Sequence, residues 1–185
     1  MNALITLDEE DIKEVYETEQ NINFLNRSIT KYLVDINQST LPIEDLQGIG
    51  SLFHVANDIE RIGDHAENIA DMAVRRKELG VSFSADAQKE LADMLTMVNV
   101  MIEKSIRFML RSEGDEFMDE LYELEARVDK KEKELQQHHI DRLTKQECTP
   151  EAGMLFSDVR MGLPGFIPIV VALVSALIMA VEGLL

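Results

Sequence analysis

Apolar residues recur every three or four positions over most of the chain, which is the spacing of amphipathic helices. Thr6 and Glu9 have the T-x-x-E spacing of a capping box, so we expect a helix of roughly eight turns to begin near Thr6. Its apolar stripe consists of Ile12, Val15, Ile22, Leu25, Ile29, Leu33 and Ile36. Glu19 falls on the same stripe, where an apolar side chain is expected.

The later helices also have recognisable ends. The boundary residues are Pro42 in the first turn of the second helix, Gly80 as its C-terminal cap, Ser84 as N-cap of the third, Glu116 and about Lys145 as limits of the fourth, and Thr149 with Pro150 at the start of the next.

Aromatic residues make up only 5% of the chain and tryptophan is absent, so aliphatic side chains must fill the core. That composition suits helices better than sheets. The predicted fold class is therefore all-α.

The C-terminal segment differs in kind from these amphipathic stretches. Nineteen residues from Leu163 to Val181 carry no charge. A membrane-spanning helix needs about 20 apolar residues, so Phe166 to Leu185 is just long enough to span a bilayer. A buried core helix is the alternative, although a helix that is apolar on every face is unusual in a small soluble bundle.

The charge balance restricts the partners. The chain has 18 basic and 35 acidic residues, a net charge of −17, which argues against a nucleic-acid binder because phosphates are neutralised by lysine and arginine. The single cysteine, Cys148, excludes an internal disulfide and a cysteine-based zinc site. The N-terminal residues have neither a basic nor an apolar signal region, so we expect a cytoplasmic location for the main body.

The most informative segment is NDIERIGDHAENIAD, Asn57 to Asp71. On a helical wheel Glu60, Asp64, Glu67 and Asp71 fall within a sector of about 60°. Carboxylates one turn apart repel unless a cation bridges them, and their oxygens suit Mg²⁺, Mn²⁺ or iron. Glu19 on the first helix is a further candidate ligand, because a carboxylate on a core-facing stripe requires a partner. A solvated acidic face is the competing interpretation.

No pattern of catalytic residues accompanies these carboxylates. The chain contains no H-E-x-x-H, glycine-rich phosphate loop or nucleophile elbow, and His138 and His139 are adjacent and therefore point in different directions. We therefore expect that the protein is not an enzyme.

The same segment resembles the signature of PhoU proteins, in particular the PhoU-like domain at the C terminus of sodium/phosphate cotransporters. INFLNRSITKYL and HHIDRLTKQECTPEAGMLFSDV resemble that domain as well, and the similarity covers roughly Glu14 to Val159. The resemblance implies repeats that are three-helix bundles, and E-x-x-x-D carboxylates that bind a metal ion or a multinuclear cluster of iron, zinc or manganese. The implied ligands are mainly Glu60 and Asp64, with Asn57, Asp58 and Asn68 as weaker neighbours. Glu19 stays a weak candidate on its helical position alone.

The resemblance ends after Val159. When the FSDV segment is aligned with the family pattern, Pro164 stands in the place of Glu60, so the second carboxylate motif is absent. The predicted organisation is a first PhoU-like repeat over residues 1–113, a partial second repeat over 114–161, and an apolar segment over 162–185. That segment is a candidate membrane helix, with a buried core helix as the alternative. A frameshift or a gene fusion would explain its abrupt start.

The function implied by the resemblance is metal-dependent regulation of phosphate uptake, associated with sodium-dependent transport. The partner would be a phosphate transporter or a phosphate-signalling protein, at the cytoplasmic side of the membrane. The chain would be peripheral there or anchored through residues 163–185, with a homodimer as a further option. Two alternatives stay open: a structural helical adaptor without metal, and a membrane-inserted fragment of a sodium/phosphate cotransporter.

Overall fold

The computed structural model describes residues 3–38, 43–111 and 116–182, and all regular structure within these ranges is helical. The helices are α1 (Ala3–Thr6), α2 (Glu9–Asn37), α3 (Ile43–Glu78), α4 (Ala85–Arg111), α5 (Glu116–Thr144), α6 (Pro150–Gly162) and α7 (Phe166–Glu182), and a single 3-10 turn, Leu163–Gly165, joins α6 to α7. This confirms the all-α prediction. Pro42 lies outside the described residues.

Three of the predicted helix ends are confirmed, two by hydrogen bonds and one by its backbone conformation. Ser84 Oγ accepts from the amide of Ala87 at 3.2 Å, and Thr149 Oγ1 accepts from the amide of Ala152 at 3.2 Å. Gly80 follows α3 with a φ of +61°, the left-handed conformation that glycine adopts without a steric penalty. These local polar contacts satisfy amides and carbonyls that helix ends leave unpaired.

The predicted start of the first long helix is wrong by one short turn. The N-cap is Asp8, whose Oδ1 accepts from the amides of Glu10 at 2.8 Å and Asp11 at 3.1 Å. Leu7 has a φ of +57°, so the chain turns there and separates α1 from α2. Thr6 Oγ1 accepts instead from the amide of Asp8 at 3.3 Å. A carboxylate at Asp8 also complements the positive end of the helix, which favours this start over Thr6.

A shared core unites the segments that were predicted as separate units. The helix α3 packs against α2 and α7 and also contacts α1 and α6. The core includes fully buried side chains from both predicted repeats and from the apolar segment: Leu4, Leu91, Met94, Met101, Leu121, Val128, Leu135, Leu155, Leu163 and Phe166. The buried interior thus runs across the predicted boundaries at 113 and 161, and the division into repeats stays a prediction.

The apolar helix α7 is packed inside the bundle. Ile169, Val170 and Val174 are at most 1% exposed, and α7 lies against α3 and α4. The stretch Pro150–Ala176 has the length and the mean hydropathy, 1.8, of a membrane span, yet 56% of its most apolar window is buried within the protein. Core packing alone thus explains the apolar character of α7, and membrane contact stays a prediction.

Candidate metal site

Three carboxylates from two helices meet where α2 packs on α3. One carboxylate oxygen from each of Glu19, Asp64 and Glu67 lies within 4.8 Å of the other two. Glu19 is only 6% exposed, Glu67 is half-buried and Asp64 is exposed. The amide of Asn23 donates a hydrogen bond to Glu19 Oε1. We refer to Glu19, Asp64 and Glu67 as the carboxylate triad.

A glycine on α3 permits the approach of the two helices beside the triad. A Cβ atom at Gly63 would lie 3.3 Å from Cδ1 of Ile22, closer than a comfortable contact. Glycine in a helix costs about 1 kcal/mol relative to alanine, and here it makes room for the Ile22 side chain. Because Ile22 is one turn from Glu19 on α2 and Gly63 precedes Asp64 on α3, this contact brings the two carboxylates together.

An open groove runs along the same contact between α2 and α3. Its volume is about 350 Å³. It is lined by Asp11, Glu14, Val15, Thr18, Glu19, Ile22, Gly63 and Ala66. The groove gives a hydrated cation access to the buried carboxylate of Glu19 from solvent.

The electrostatics of the site oppose the ionisation of Glu67 and of Glu60 beside the triad. Burial is the largest cause that raises the pKa of Glu67, followed by the charges of Glu19, Asp71 and Asp64. Burial also raises the pKa of Glu60, and the charges of Asp64 and Glu19 add to it. A pKa raised by neighbouring carboxylates means that ionisation is opposed in the folded protein, and a bound cation removes that opposition.

At the C-terminal end of the acidic face, a tyrosine engages the last carboxylate. The Tyr16 hydroxyl donates a 2.6 Å hydrogen bond to Asp71 Oδ1. Burial, this hydrogen bond and the Asp71 charge raise the pKa of Tyr16 to about 12. Asp71 is thereby tied to α2 by a protein donor. Tyr16 lay outside the sequence-based set of site residues, since no spacing rule relates positions on different helices.

The predicted ligands are distributed over different surroundings. Asp64 and Glu19 belong to the triad, whereas Glu60 lies one turn before Asp64, outside the group of three oxygens. Asp58 is 7% exposed and forms an ion pair with Arg61 at 3.5 Å. Asn57 and Asn68 are exposed. Glu67 was on the predicted acidic sector of the wheel but not among the predicted ligands, and its position one turn after Asp64 was the available signal.

The donor set of the triad fits a hard or borderline cation. Carboxylate oxygens bind such ions at about 2.0–2.6 Å, so two ligands on opposite sides of one ion lie roughly 4–5 Å apart. The oxygens of the triad fall within that separation, 4.8 Å. Carboxylate ligands suit Mg²⁺, Mn²⁺ and iron, and zinc also accepts them.

Comparison with known proteins identifies the fold family. Residues 1–73, which contain α1, α2, most of α3 and all three carboxylates of the triad, match the PhoU domain. The resemblance to PhoU proteins that the Asn57–Asp71 segment predicts is thus confirmed over residues 1–73, while its proximity to sodium/phosphate cotransporters stays a prediction.

One sequence relative and one solved structure are similar to the chain beyond residue 73. The phosphate-specific transport system accessory protein PhoU homolog 1 of Thermotoga maritima is 25% identical over 157 residues, which cover 84% of this chain and 66% of that protein. The chain therefore spans just under two thirds of the length of this relative. The crystal structure of PhoU from Pseudomonas aeruginosa superposes with a TM-score of 0.86 at 22% identity, over 98% of this chain and 86% of that one. The helices that follow the matched domain, including α7, thus have the PhoU fold.

Proposed function

We propose that this PhoU-domain protein is a non-enzymatic accessory protein that regulates phosphate uptake. The observation that carries the proposal is the PhoU domain at residues 1–73, together with the Thermotoga maritima relative that is named as an accessory protein of phosphate-specific transport. The partner in this proposal is a phosphate transporter or a phosphate-signalling protein, and the protein acts on the cytoplasmic side of the membrane. An acidic surface, with a net charge of −17, suits a basic docking surface on such a partner.

The carboxylate triad supplies the metal-dependent part of this proposal. A cation held by Glu19 from α2 and by Asp64 and Glu67 from α3 bridges two helices. Because a bound ligand stabilises only the conformation that holds its donors together, the metal would fix α2 against α3. Loss of metal would then weaken the part of the bundle that presents the acidic face.

Phosphate uptake in the source organism tests the regulatory role. In cells that lack the gene, uptake of radioactive phosphate in phosphate-rich medium should change, and the wild-type chain should restore it. A chain with Glu19→Gln and Asp64→Asn should restore it poorly, whereas Glu78→Gln, an exposed carboxylate at the end of α3, serves as the matched control. Uptake that is unaffected by deletion would overturn the proposal.

Sodium dependence and metal content separate the finer versions of this function. If the regulated system is a sodium/phosphate cotransporter, the effect of the deletion should disappear in sodium-free medium. If the chain is a structural adaptor without metal, the triad variant should restore uptake as well as wild type does. Elemental analysis of the purified chain then distinguishes a metal-binding regulator from that adaptor.

A further inference from the structure

A small cavity lies where the start of α4, the end of α5 and the start of α6 meet. Its volume is about 40 Å³. One water needs about 10–15 Å³, so there is room for roughly three water-sized atoms. Its polar lining residues are Ser82, Ser84, His139, Arg142, Glu147 and Cys148. Because Ser82, Ser84 and Glu147 are exposed, solvent reaches the cavity from their side.

A buried arginine in the wall of this cavity has an unused donor. Arg142 is only 8% exposed, and its Nη1 atom lies 2.9 Å from Oε2 of Glu90. Its guanidinium carbon lies 4.8 Å from the centre of the Phe156 ring, which also lines the cavity. The second terminal nitrogen, Nη2, is buried and has no hydrogen-bond partner in the part of the chain that the structure describes. A buried donor without a partner is unfavourable, and a guanidinium group binds oxyanions well.

Two helices begin at the same cavity. Ser84 and Ala87, from the N-cap and the first turn of α4, lie in its wall, as do Ala152 and Gly153 from the first turn of α6. The positive ends of the two helix dipoles therefore lie beside the cavity, which favours a bound anion. Ser84 Oγ accepts from the amide of Ala87 at 3.2 Å, so its hydroxyl hydrogen can still be donated to a ligand.

A buried histidine reports the sign of the electrostatic potential at this position. His139 is 8% exposed, and its ring stacks on Phe156 with the centroids 5.1 Å apart. Burial lowers the pKa of His139, and the positive charges of Arg142 and Arg160 lower it further, against the smaller effect of Glu90. His139 is therefore neutral at pH 7. Surroundings that oppose a further positive charge favour an anionic ligand over a cation.

We propose that this cavity binds a small tetrahedral oxyanion that carries a proton, which is the chemistry of hydrogen phosphate. Nη2 of Arg142 and the hydroxyl of Ser84 donate to the oxygens of the anion, and the fourth oxygen faces the open side. Glu147 brings a carboxylate to the wall, and it accepts the hydrogen bond that the protonated oxyanion donates. Sulfate has the same shape but no proton at neutral pH, so Glu147 repels it. This inference goes beyond the proposed regulatory function and rests on the cavity alone.

Cys148 reports whether the cavity is occupied, because it lines the cavity and is the single cysteine of the chain. The rate of its alkylation by iodoacetamide, a neutral reagent, is measured by mass spectrometry on the full chain. Prior treatment with a chelator prevents phosphate from binding through a metal ion at the carboxylate triad. Inorganic phosphate at ten times its dissociation constant should slow the alkylation by about tenfold, since most sites are then filled. Sulfate at the same concentration and ionic strength should slow it much less.

A substitution at the buried arginine tests the location of the site. Arg142→Lys keeps a positive charge beside Glu90 but removes the forked pair of nitrogens. We expect it to raise the dissociation constant for phosphate, measured by isothermal titration calorimetry, by about tenfold or more. Arg127→Lys, at an exposed position on α5, is the matched control and should bind as wild type does. Circular dichroism verifies that both variants are folded.

A substitution at the rim tests the selectivity and does not disturb the core. Glu147 is exposed, so Glu147→Gln should fold as wild type does. An amide donates to sulfate where a carboxylate repels it, so this variant should bind sulfate about as well as phosphate. Glu151→Gln, an exposed carboxylate in the first turn of α6, should keep the preference for phosphate.

Three results would overturn the proposal. The first is a wild-type chain in which phosphate neither releases heat nor protects Cys148. The second is an Arg142→Lys variant that is folded and binds phosphate as tightly as wild type. The third is a wild-type chain that binds sulfate as tightly as phosphate.

Discussion

The carboxylates of Glu19 and Asp64 approach within 4.8 Å although they belong to different helices, α2 and α3. Glu19 sits on the buried side of α2, whereas Asp64 is open to solvent. In this pair the carboxylate of Glu19 is largely removed from water, whereas the carboxylate of Asp64 stays hydrated. A cation bound between them would satisfy the buried charge and would still retain water ligands on its outer side.

Removal of the buried triad carboxylate should weaken metal binding. We expect Glu19→Gln to weaken Mn²⁺ binding by more than about tenfold, because it removes one of three negative oxygen donors. Isothermal titration calorimetry on chelator-treated protein measures the affinity, and elemental analysis measures the metal retained after purification. Glu78→Gln, outside the triad, should bind as wild type does. Equal affinity in wild type and Glu19→Gln would remove Glu19 from the site.

Neutralising Glu67 should stabilise the metal-free protein at neutral pH. The pKa of Glu67 in the folded chain lies above its ordinary value of 4.5, so its ionisation opposes folding. Protonated Glu67 favours the folded state. This contribution to folding stability is complete below the unfolded-state pKa and is lost as the pH rises through the raised folded-state pKa.

The gain from Glu67→Gln should be a few tenths of a kcal/mol, since the side chain is half-buried and solvent screens it. Thermal unfolding in a metal chelator between pH 4.5 and 7 measures it, and the advantage of the variant should shrink toward the acid end. With Mn²⁺ present the order should reverse, because wild type alone retains all three donors. A variant that is less stable than wild type in chelator at pH 7 would contradict this account.

Tyr16 should be the last tyrosine to ionise. Its pKa is raised to about 12, mainly by burial and then by the hydrogen bond to Asp71. Its unfolded-state pKa is near 10, so its contribution to stability is complete below pH 10 and is lost as the pH rises through 12.

Phenolate absorbance measured up to the alkaline unfolding transition should show this late component in wild type and should lack it in Tyr16→Phe. The matched control is Tyr32→Phe, which removes an exposed tyrosine and should leave the late component in place. A late component that survives in Tyr16→Phe would assign the raised pKa to another residue.

A side chain at Gly165, in the 3-10 turn before α7, should destabilise the fold. A Cβ atom there would lie 2.6 Å from Cε1 of His65, whose ring packs on Phe166 with centroids 5.2 Å apart. We expect Gly165→Ala to destabilise the fold by about 1–3 kcal/mol in urea unfolding, as overpacking does. In a His65→Ala background the same change should cost much less. Additive costs in the double variant would show that the two residues do not conflict.

The two faces of α7 should respond differently to a charge. Val174 is fully buried and Ala172 is exposed. For a helix in the bundle, Val174→Glu should unfold the chain, since an unpaired buried charge costs several kcal/mol, whereas Ala172→Glu should be neutral within about 0.5 kcal/mol. In a membrane span both positions would be costly, at about 3 kcal/mol near the bilayer centre. Circular dichroism and the soluble yield of each variant distinguish these outcomes.

The helices and most of their ends are determined by the sequence alone. Ser84, Thr149 and Gly80 act on backbone groups within a few residues of themselves, so their effect can be predicted without the rest of the chain. The heptad-like seam of α5 is equally local: Leu121, Leu124, Val128 and Leu135 are all buried. The acidic face of α3 follows for the same reason, because 100° per residue fixes its side-chain directions.

The composition of the site and the environment of α7 were decided by tertiary structure. Glu19 joins Asp64 and Glu67 because Ile22 packs over Gly63, and the rotation of one helix against another depends on shape rather than on periodicity. Glu60 satisfies the same spacing rule as Glu67 but lies outside the triad. For α7, hydropathy has the same value whether its surroundings are lipid or protein side chains. Only the packing of Ile169, Val170 and Val174 within the bundle distinguishes these surroundings.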